Sequence, residues 1–264
     1  MRTVGCRYGL ARGEAGQVPI GPGEASRIYR STDGGATWTI AFQNDDPDAF
    51  YDCMAFYPGG RKGLAVSDPV DGKLRILSTR DRGRTWTVLS DAGMPASADE
   101  FGFAASGDCL VTAGKAAFLI TGGARSRVLR SDDRGRTLRD AGLDGGPGEA
   151  AGGFAGAFAS PRRGIAVGGD FGEDPDLQDN VAYTRDGRTW TDGITLTHIG
   201  EDVTFLRGWK VAVATGDYGG SAGTSLTRDG GATWARVSDL GYHVVDCVAK
   251  VCWAAGGKGR VGRG

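Results

Sequence analysis

The sequence of 264 residues holds only two histidines, His198 and His243, which leaves little material for a histidine-based metal or nucleophile site. Its five cysteines, Cys6, Cys53, Cys109, Cys247 and Cys252, form no Cys-x-x-Cys pair and have no histidine neighbour of zinc-site spacing. They read as free buried thiols, with one exception. Cys247 and Cys252 flank a tight connection at Ala249-Lys250, and a two-residue hairpin would set them opposite each other within reach of a disulfide. No run approaches the roughly 18 apolar residues of a membrane-crossing helix. The first residues, Met1 to Cys6, lack the apolar core of a signal peptide. With a formal net charge of -1 the chain also lacks the basic excess that would make nucleic acid its default partner. No glycine fingerprint stands between a strand and a helix, so no dinucleotide cofactor is expected.

What the sequence has in quantity is glycine, 47 residues of it without a period of three, together with 40% apolar residues. That combination implies a folded chain with many tight turns. Self-similarity explains it. Ser31-Thr32-Asp33-Gly34-Gly35-Ala36-Thr37-Trp38 returns as Thr79-Arg80-Asp81-Arg82-Gly83-Arg84-Thr85-Trp86 and as Ser131-Asp132-Asp133-Arg134-Gly135-Arg136-Thr137-Leu138. It recurs as Thr227-Arg228-Asp229-Gly230-Gly231-Ala232-Thr233-Trp234, and in shortened form as Thr184-Arg185-Asp186-Gly187-Arg188-Thr189-Trp190. The aspartates recur about every 43 to 53 residues, close to the length of a four-stranded propeller blade. The residue types suit a hairpin turn whose carboxylate accepts turn N–H groups, whose glycine takes positive φ, and whose tryptophan locks the hairpin to its neighbours.

Strands are expected before each turn, at Arg27-Ile28-Tyr29-Arg30, Leu74-Arg75-Ile76-Leu77, Arg127-Val128-Leu129-Arg130 and Val181-Ala182-Tyr183. Apolar runs upstream give inner strands at 53–56 with 63–66, 109–112 with 117–121, 154–158 with 164–167, and 203–205 with 211–214. After the fifth box, 244–248, 251–255 and 259–261 supply three strands of a sixth blade. The expectation is a single all-β domain over 1–264, a propeller of about six four-stranded antiparallel blades or a truncated seven-bladed one. Residues 1–20 fit poorly, with Val18-Pro19-Ile20 as their one strand-like run, and suggest a truncated or misread start. Leu138 stands where other boxes have tryptophan, so the third blade should be the weakest of the boxed ones.

On these boxes the chain resembles the Asp-box, or bacterial neuraminidase repeat, superfamily. Within that group it is most similar to bacterial propellers related to the photosystem II stability and assembly factors. Gly21-Pro22-Gly23-Glu24-Ala25-Ser26-Arg27, Phe50-Tyr51-Asp52-Cys53-Met54-Ala55-Phe56 and Ser67-Asp68-Pro69-Val70-Asp71-Gly72 resemble a subgroup of unassigned bacterial members, which often carry export signals and more blades. The resemblance implies that the box residues are structural. These are Asp33, Gly35, Thr37, Trp38, Asp81, Gly83, Thr85, Trp86, Asp133, Gly135, Thr137, Asp186, Thr189, Trp190, Asp229, Gly231, Thr233 and Trp234. A sialidase of the superfamily would add an arginine triad, a tyrosine nucleophile with a glutamate, and an aspartate acid/base. That set cannot be assembled from this sequence, and Ser26-Arg27-Ile28-Tyr29 only partly echoes its Phe/Tyr-Arg-Ile-Pro element.

In a meander, alternate loops return to the same edge of the disc. This assignment puts Asp68, Asp71, Asp170, Glu173, Asp174 and Asp217 on one face as candidates for ligand binding. It puts Arg61, Lys62, Arg162, Arg163 and Arg207 on the other, joined by the box arginines. Calcium is the one metal the acidic loops would suit, but 169–176 lacks EF-hand spacing, so no metal site and no cofactor are expected. The function that follows is a monomeric, non-enzymatic module that binds a protein or another ligand on one face, with no nucleic acid and no membrane span. A sialidase-like glycoside hydrolase acting on glycans is the alternative.

Overall fold

The computed structural model describes residues 9–11, 14–17, 23–97, 99–104, 106–142, 151–172, 179–248 and 251–264. Apart from three short 3₁₀ turns, every regular element among them is a strand, and no helix is long and apolar enough to cross a membrane. The strands form six antiparallel sheets in chain order, and the architecture is a β-propeller.

Sheet two shows the pattern. Tyr51–Phe56, Gly63–Val70, Lys73–Thr79 and Thr87–Val88 pair in sequence order as an up-and-down meander. Sheet three runs Leu110–Ala113, Ala116–Ile120, Val128–Ser131 and Arg139–Asp140, and sheet five runs Asp202–Arg207, Val211–Gly216, Gly223–Thr227 and Ala235–Ser238. In each of the first five sheets the box lies between the third and fourth of these meander strands. Four apolar layers fill the gaps between successive sheets. Ile28, Tyr51, Met54 and Leu77 pack sheet one on sheet two, while Val66, Ile76, Leu119 and Leu129 join sheets two and three. Phe118, Ile120 and Ala166 lie between sheets three and four, and Ile165, Val203 and Ala212 between sheets four and five. Inner strands such as Ala116–Ile120 are buried along their whole length, which is why they read as unbroken apolar runs.

Several expectations need correction. Sheet one begins with Gly9–Ala11 and Glu14–Gln17, the latter paired with Arg27–Arg30, so the early strands lie in the glycine-interrupted stretch; 18–20 falls outside the described residues. Glycine does not prevent pairing there because the ladder uses backbone groups alone. Sheet four has six strands. Beyond Ala151–Ser160, Arg163–Asp170, Val181–Thr184 and Trp190–Asp192, it gains Gly122–Gly123 and Glu100–Phe101 along the edge of Ala151–Ser160. A Cβ on Gly122 would come 2.6 Å from the carbonyl oxygen of Ala151, and one on Gly152 2.5 Å from the Cα of Gly122, so this crossing requires glycine on both strands. In sheet six, Val244–Val248 and Val251–Ala255 are followed by Val261–Arg263, starting two residues later than the sequence suggested. Gly257–Gly259 forms a 3₁₀ turn instead, with Lys258 at positive φ.

Of the cysteines, Cys53 and Cys109 differ from expectation, while Cys247 and Cys252 follow it. Cys53 and Cys109 form a buried disulfide that ties sheet two to the segment entering sheet three, with Cα atoms 5.9 Å apart. Cys247 and Cys252 sit opposite each other in the sheet-six hairpin and are also bonded, Cα to Cα 4.0 Å. Leu138, the odd residue of the third box, is 6% exposed and belongs to the core between sheets two and three. Trp38 of the first box is 36% exposed. Leucine fills its site there and the ring of sheet one is partly exposed, but Trp86 of the second box, 8% exposed, buries the larger side chain, so slower hydrogen exchange around residues 74–89 than around 127–141 is still expected.

Candidate functional site

The five box turns share one hydrogen-bond scheme. Asp33 Oδ1 accepts from Thr37 N at 2.9 Å, Asp81 from Thr85 N at 3.0 Å, Asp133 from Thr137 N at 2.9 Å and Asp229 from Thr233 N at 3.0 Å. In the shortened copy Asp186 accepts from Thr189 N at 2.7 Å. The threonine hydroxyl donates to the second carboxylate oxygen in every case. Bonds from Thr37 and Ser31 hold the Asp33 carboxyl well below its ordinary range. Backbone N–H groups of Thr189 and Arg188 do the same for Asp186. One participant went unnoticed in the sequence. Ser31, Thr79, Ser131, Thr184 and Thr227 each accept from the box glycine N–H and donate to the aspartate. Their recurrence two residues before every box aspartate was the available signal. Gly135 shows how a turn docks, since a Cβ there would meet Leu64 of sheet two at 2.9 Å. Asp133→Ala should cost about 1 kcal/mol in thermal or denaturant unfolding, because it strands turn N–H groups that solvent only partly reaches.

The opposite edge of the sheets carries the acidic loops. Asp68 lies near the end of the second strand of sheet two, Asp170 ends the second strand of sheet four, and Asp217 follows the second strand of sheet five. Asp71 sits at positive φ in the exposed turn with Gly72, away from the others, and Glu173 and Asp174 fall outside the described residues. Asp68 accepts from Gly102 N at 3.1 Å and Asp217 from Arg260 at 2.9 Å. Asp170 accepts from Gly172 N within its own loop.

Between these loops runs a row of aromatic rings that the sequence did not announce. Phe101 and Phe103 flank Gly102 with centroids 5.2 Å apart, and Phe103 meets Phe154 edge-on at 4.4 Å. Phe154 stacks on Phe171 at 4.3 Å, and Phe171 meets Tyr218 at a right angle and 4.7 Å. The Tyr218 hydroxyl donates to the Phe171 carbonyl at 2.7 Å, while its ring is 39% exposed. The row thus bridges sheets four and five and ends on Asp68 of sheet two.

Beneath Gly102 lies Asp52, buried, with neither carboxylate oxygen receiving a donor from a neighbouring N–H or hydroxyl. What faces it is Asp68. Burial pushes the Asp52 carboxyl well above its ordinary value, and the Asp68 charge adds to the effect. Asp68 is raised too, by burial, against bonds from Asp52 and Gly102 that lower it. A proton on Asp52 donated to Asp68 satisfies both. A raised folded-state value means that stability is fullest below the unfolded value of about 3.9 and is lost as pH climbs through the folded one. Asp52→Asn should therefore raise the melting temperature at pH 7, and its gain should shrink toward pH 4. A gain that is constant with pH would contradict the shared proton.

Several other charges of this edge are paired within the chain. Arg75 pairs with Asp46 at 3.1 Å, buried Arg127 with Glu100, and Arg260 with Asp217. His243 bonds Glu201 at 2.6 Å, and that bond raises the imidazole above its usual value. His198 is buried between the Ile199 carbonyl and the Ser225 hydroxyl, and burial keeps it neutral. Among the described residues no group of three or more acidic, histidine or cysteine side chains is arranged to hold a metal.

The basic candidates fall into two groups. Arg61 and Lys62, in the turn after Tyr51–Phe56, line hollows together with Arg134 of the third box. Arg163 lies over the Trp209 ring at 4.5 Å, where Arg185 and Lys210 also gather. Arg162 and Arg207 are exposed at neighbouring strand ends.

No family model matches the chain, and no curated protein does. Among solved structures it is similar to an α-L-arabinofuranosidase, Arb93A from Fusarium graminearum. The identity is 15%, with 98% of this chain and 91% of that one covered at a TM-score of 0.56. It is similar to a GH74 enzyme from Niastella koreensis at 16% identity and a TM-score of 0.55, covering 95% of this chain and about a third (35%) of that enzyme. It also matches YCF48 bound to D1 peptide, at 17% identity and a TM-score of 0.49, covering 99% and 93%. At these identities the likeness shows the fold alone.

Proposed function

We propose that the chain is a non-enzymatic binding or assembly module, an Asp-box propeller of about six blades that holds a basic segment of a protein partner against its acidic, aromatic edge. The observation that carries the reading is the ring row from Phe101 to Tyr218, with the carboxylate of Asp170, which forms no salt bridge among the described residues, carried next to Phe171. Flat π-faces beside carboxylates suit lysine and arginine side chains, which aromatic quadrupoles and anions attract together. Hydrolase chemistry has less to work with. Arg75, Arg127 and Arg260 are each held by a different carboxylate, so they do not converge on a substrate anion. Asp52 is buried, so it is not open to a sugar as one of a pair of glycosidase carboxyls would be.

Calorimetric titration with a short oligolysine tests this. Saturable binding that weakens with salt is expected, reduced roughly tenfold by Tyr218→Ala. Aryl glycosides of sialic acid and arabinofuranose should remain intact. Turnover of either, abolished by Asp68→Asn, would replace the binding reading with the hydrolase one.

A further inference from the structure

On the box edge, between sheets two and three, lies a cavity of about 110 Å³ lined by Tyr57, Lys62, Leu64, Arg80, Arg134 and Arg136. One water needs only ~10–15 Å³ of such space, so the cavity admits an ion of several heavy atoms. Four of those six side chains are cationic, and none forms a salt bridge among the described residues. The carboxylates carried on the same turns, Asp81 and Asp133, direct their oxygens to Thr85 and Thr137 and form no salt bridge with these four cations.

Two features mark the cavity as a built site. Tyr57 lines the cavity, and its hydroxyl is buried with no hydrogen-bond partner. Burial also raises the phenol, so it stays protonated and able to donate. An unsatisfied buried hydroxyl is costly, and an incoming acceptor removes that cost. The second feature is Arg134 itself. It holds φ 67, as Arg82 does at φ 66 in the second box, in a position where sheets one and five place Gly34 and Gly230, and of the two arginines Arg134 lines the cavity. A left-handed arginine is strained where glycine would not be, and the strain delivers a guanidinium to the cavity wall. Burial and the neighbouring arginines 134, 80, 61 and 136 together depress Lys62, as expected of cations gathered without a counter-ion.

We infer that this cavity binds a tetrahedral oxyanion, a phosphate or sulfate group, with Tyr57 and Arg134 as its principal donors. Guanidinium groups meet such oxygens with paired, charge-assisted bonds, and a neutral phenol donor adds direction. The site lies on the edge opposite the aromatic row and does not depend on the function proposed for that row.

The test is a titration of the full chain with inorganic phosphate and sulfate against chloride at matched ionic strength, read by calorimetry and melting temperature. Saturable one-site binding of phosphate or sulfate is expected, with a rise in melting temperature that chloride does not give. Arg134→Gly should weaken binding by roughly tenfold or more while leaving the ion-free melting temperature unchanged or higher. Tyr57→Phe should weaken it roughly tenfold without lowering ion-free stability. Tyr218→Ala should leave it unchanged, which separates this site from the aromatic edge. Methyl phosphate distinguishes the source: retained affinity points to a phosphate group carried on a larger molecule, lost affinity to the free ion. Equal effects of chloride, or phosphate binding unaltered in both Arg134→Gly and Tyr57→Phe, would overturn the assignment.

Discussion

Replacing Cys53 and Cys109 together by alanine should lower the unfolding free energy by about 4 kcal/mol, the loop-closure value for a bond spanning 56 residues. Both cysteines are fully buried, so the cavity left behind adds to the loss. Cys247–Cys252 closes only a five-residue separation in a partly exposed hairpin and should contribute about half as much. A titration with a thiol reductant should therefore show two events. The sheet-six bond opens first with a small fall in melting temperature, and the buried bond opens later with a large one. A single small step, or loss of the Cys53–Cys109 bond without destabilisation, would show that sheets two and three do not depend on it.

The second large effect concerns Arg127. Its guanidinium donates through Nε to Glu100 at 2.8 Å and through Nη2 to the same carboxylate, and Thr121 completes the site at 2.8 Å. Glu100 has no exposed side-chain surface and Arg127 only 5%. The pair joins the two-residue strand Glu100–Phe101 of sheet four to the start of the third strand of sheet three. Arg127→Met leaves Glu100 buried and charged with one hydroxyl partner, a change that costs about 3–5 kcal/mol. Adding Glu100→Leu should recover most of the loss, since removing both charges avoids the burial penalty. Arg127→Lys should recover little, because a point charge cannot reproduce the two-pronged contact. Denaturant unfolding of the three variants measures these values, and a double variant no more stable than Arg127→Met would contradict the account.

The repeat made the propeller legible because each box carries its own hydrogen-bond requirements within eight residues. The strands around it followed from apolar runs buried on both faces. Interactions between distant segments were not legible. Gly122–Gly123 and Glu100–Phe101 are too short and too poor in side chains to show a period, and they pair only because Gly152 lets another backbone approach. Cys53 and Cys109 meet because sheets two and three pack together, which no spacing rule encodes. The same holds for Asp52. The sequence shows an aspartate beside a strand, while its burial against Asp68 depends on where Gly102 returns. The acidic loops could be assigned to strand ends from topology, but the aromatic row drawn from four separate segments could not.

That row bears the functional proposal, and nuclear magnetic resonance mapping of an oligolysine titration tests it most directly. The predicted result is that backbone amide shifts cluster at Asp68, Gly102, Phe103, Phe171, Asp217 and Tyr218 and saturate together. The box edge around Arg61, Arg82 and Arg134 should stay unmoved. Shifts centred on the box edge, or spread evenly over both edges without saturation, would contradict it.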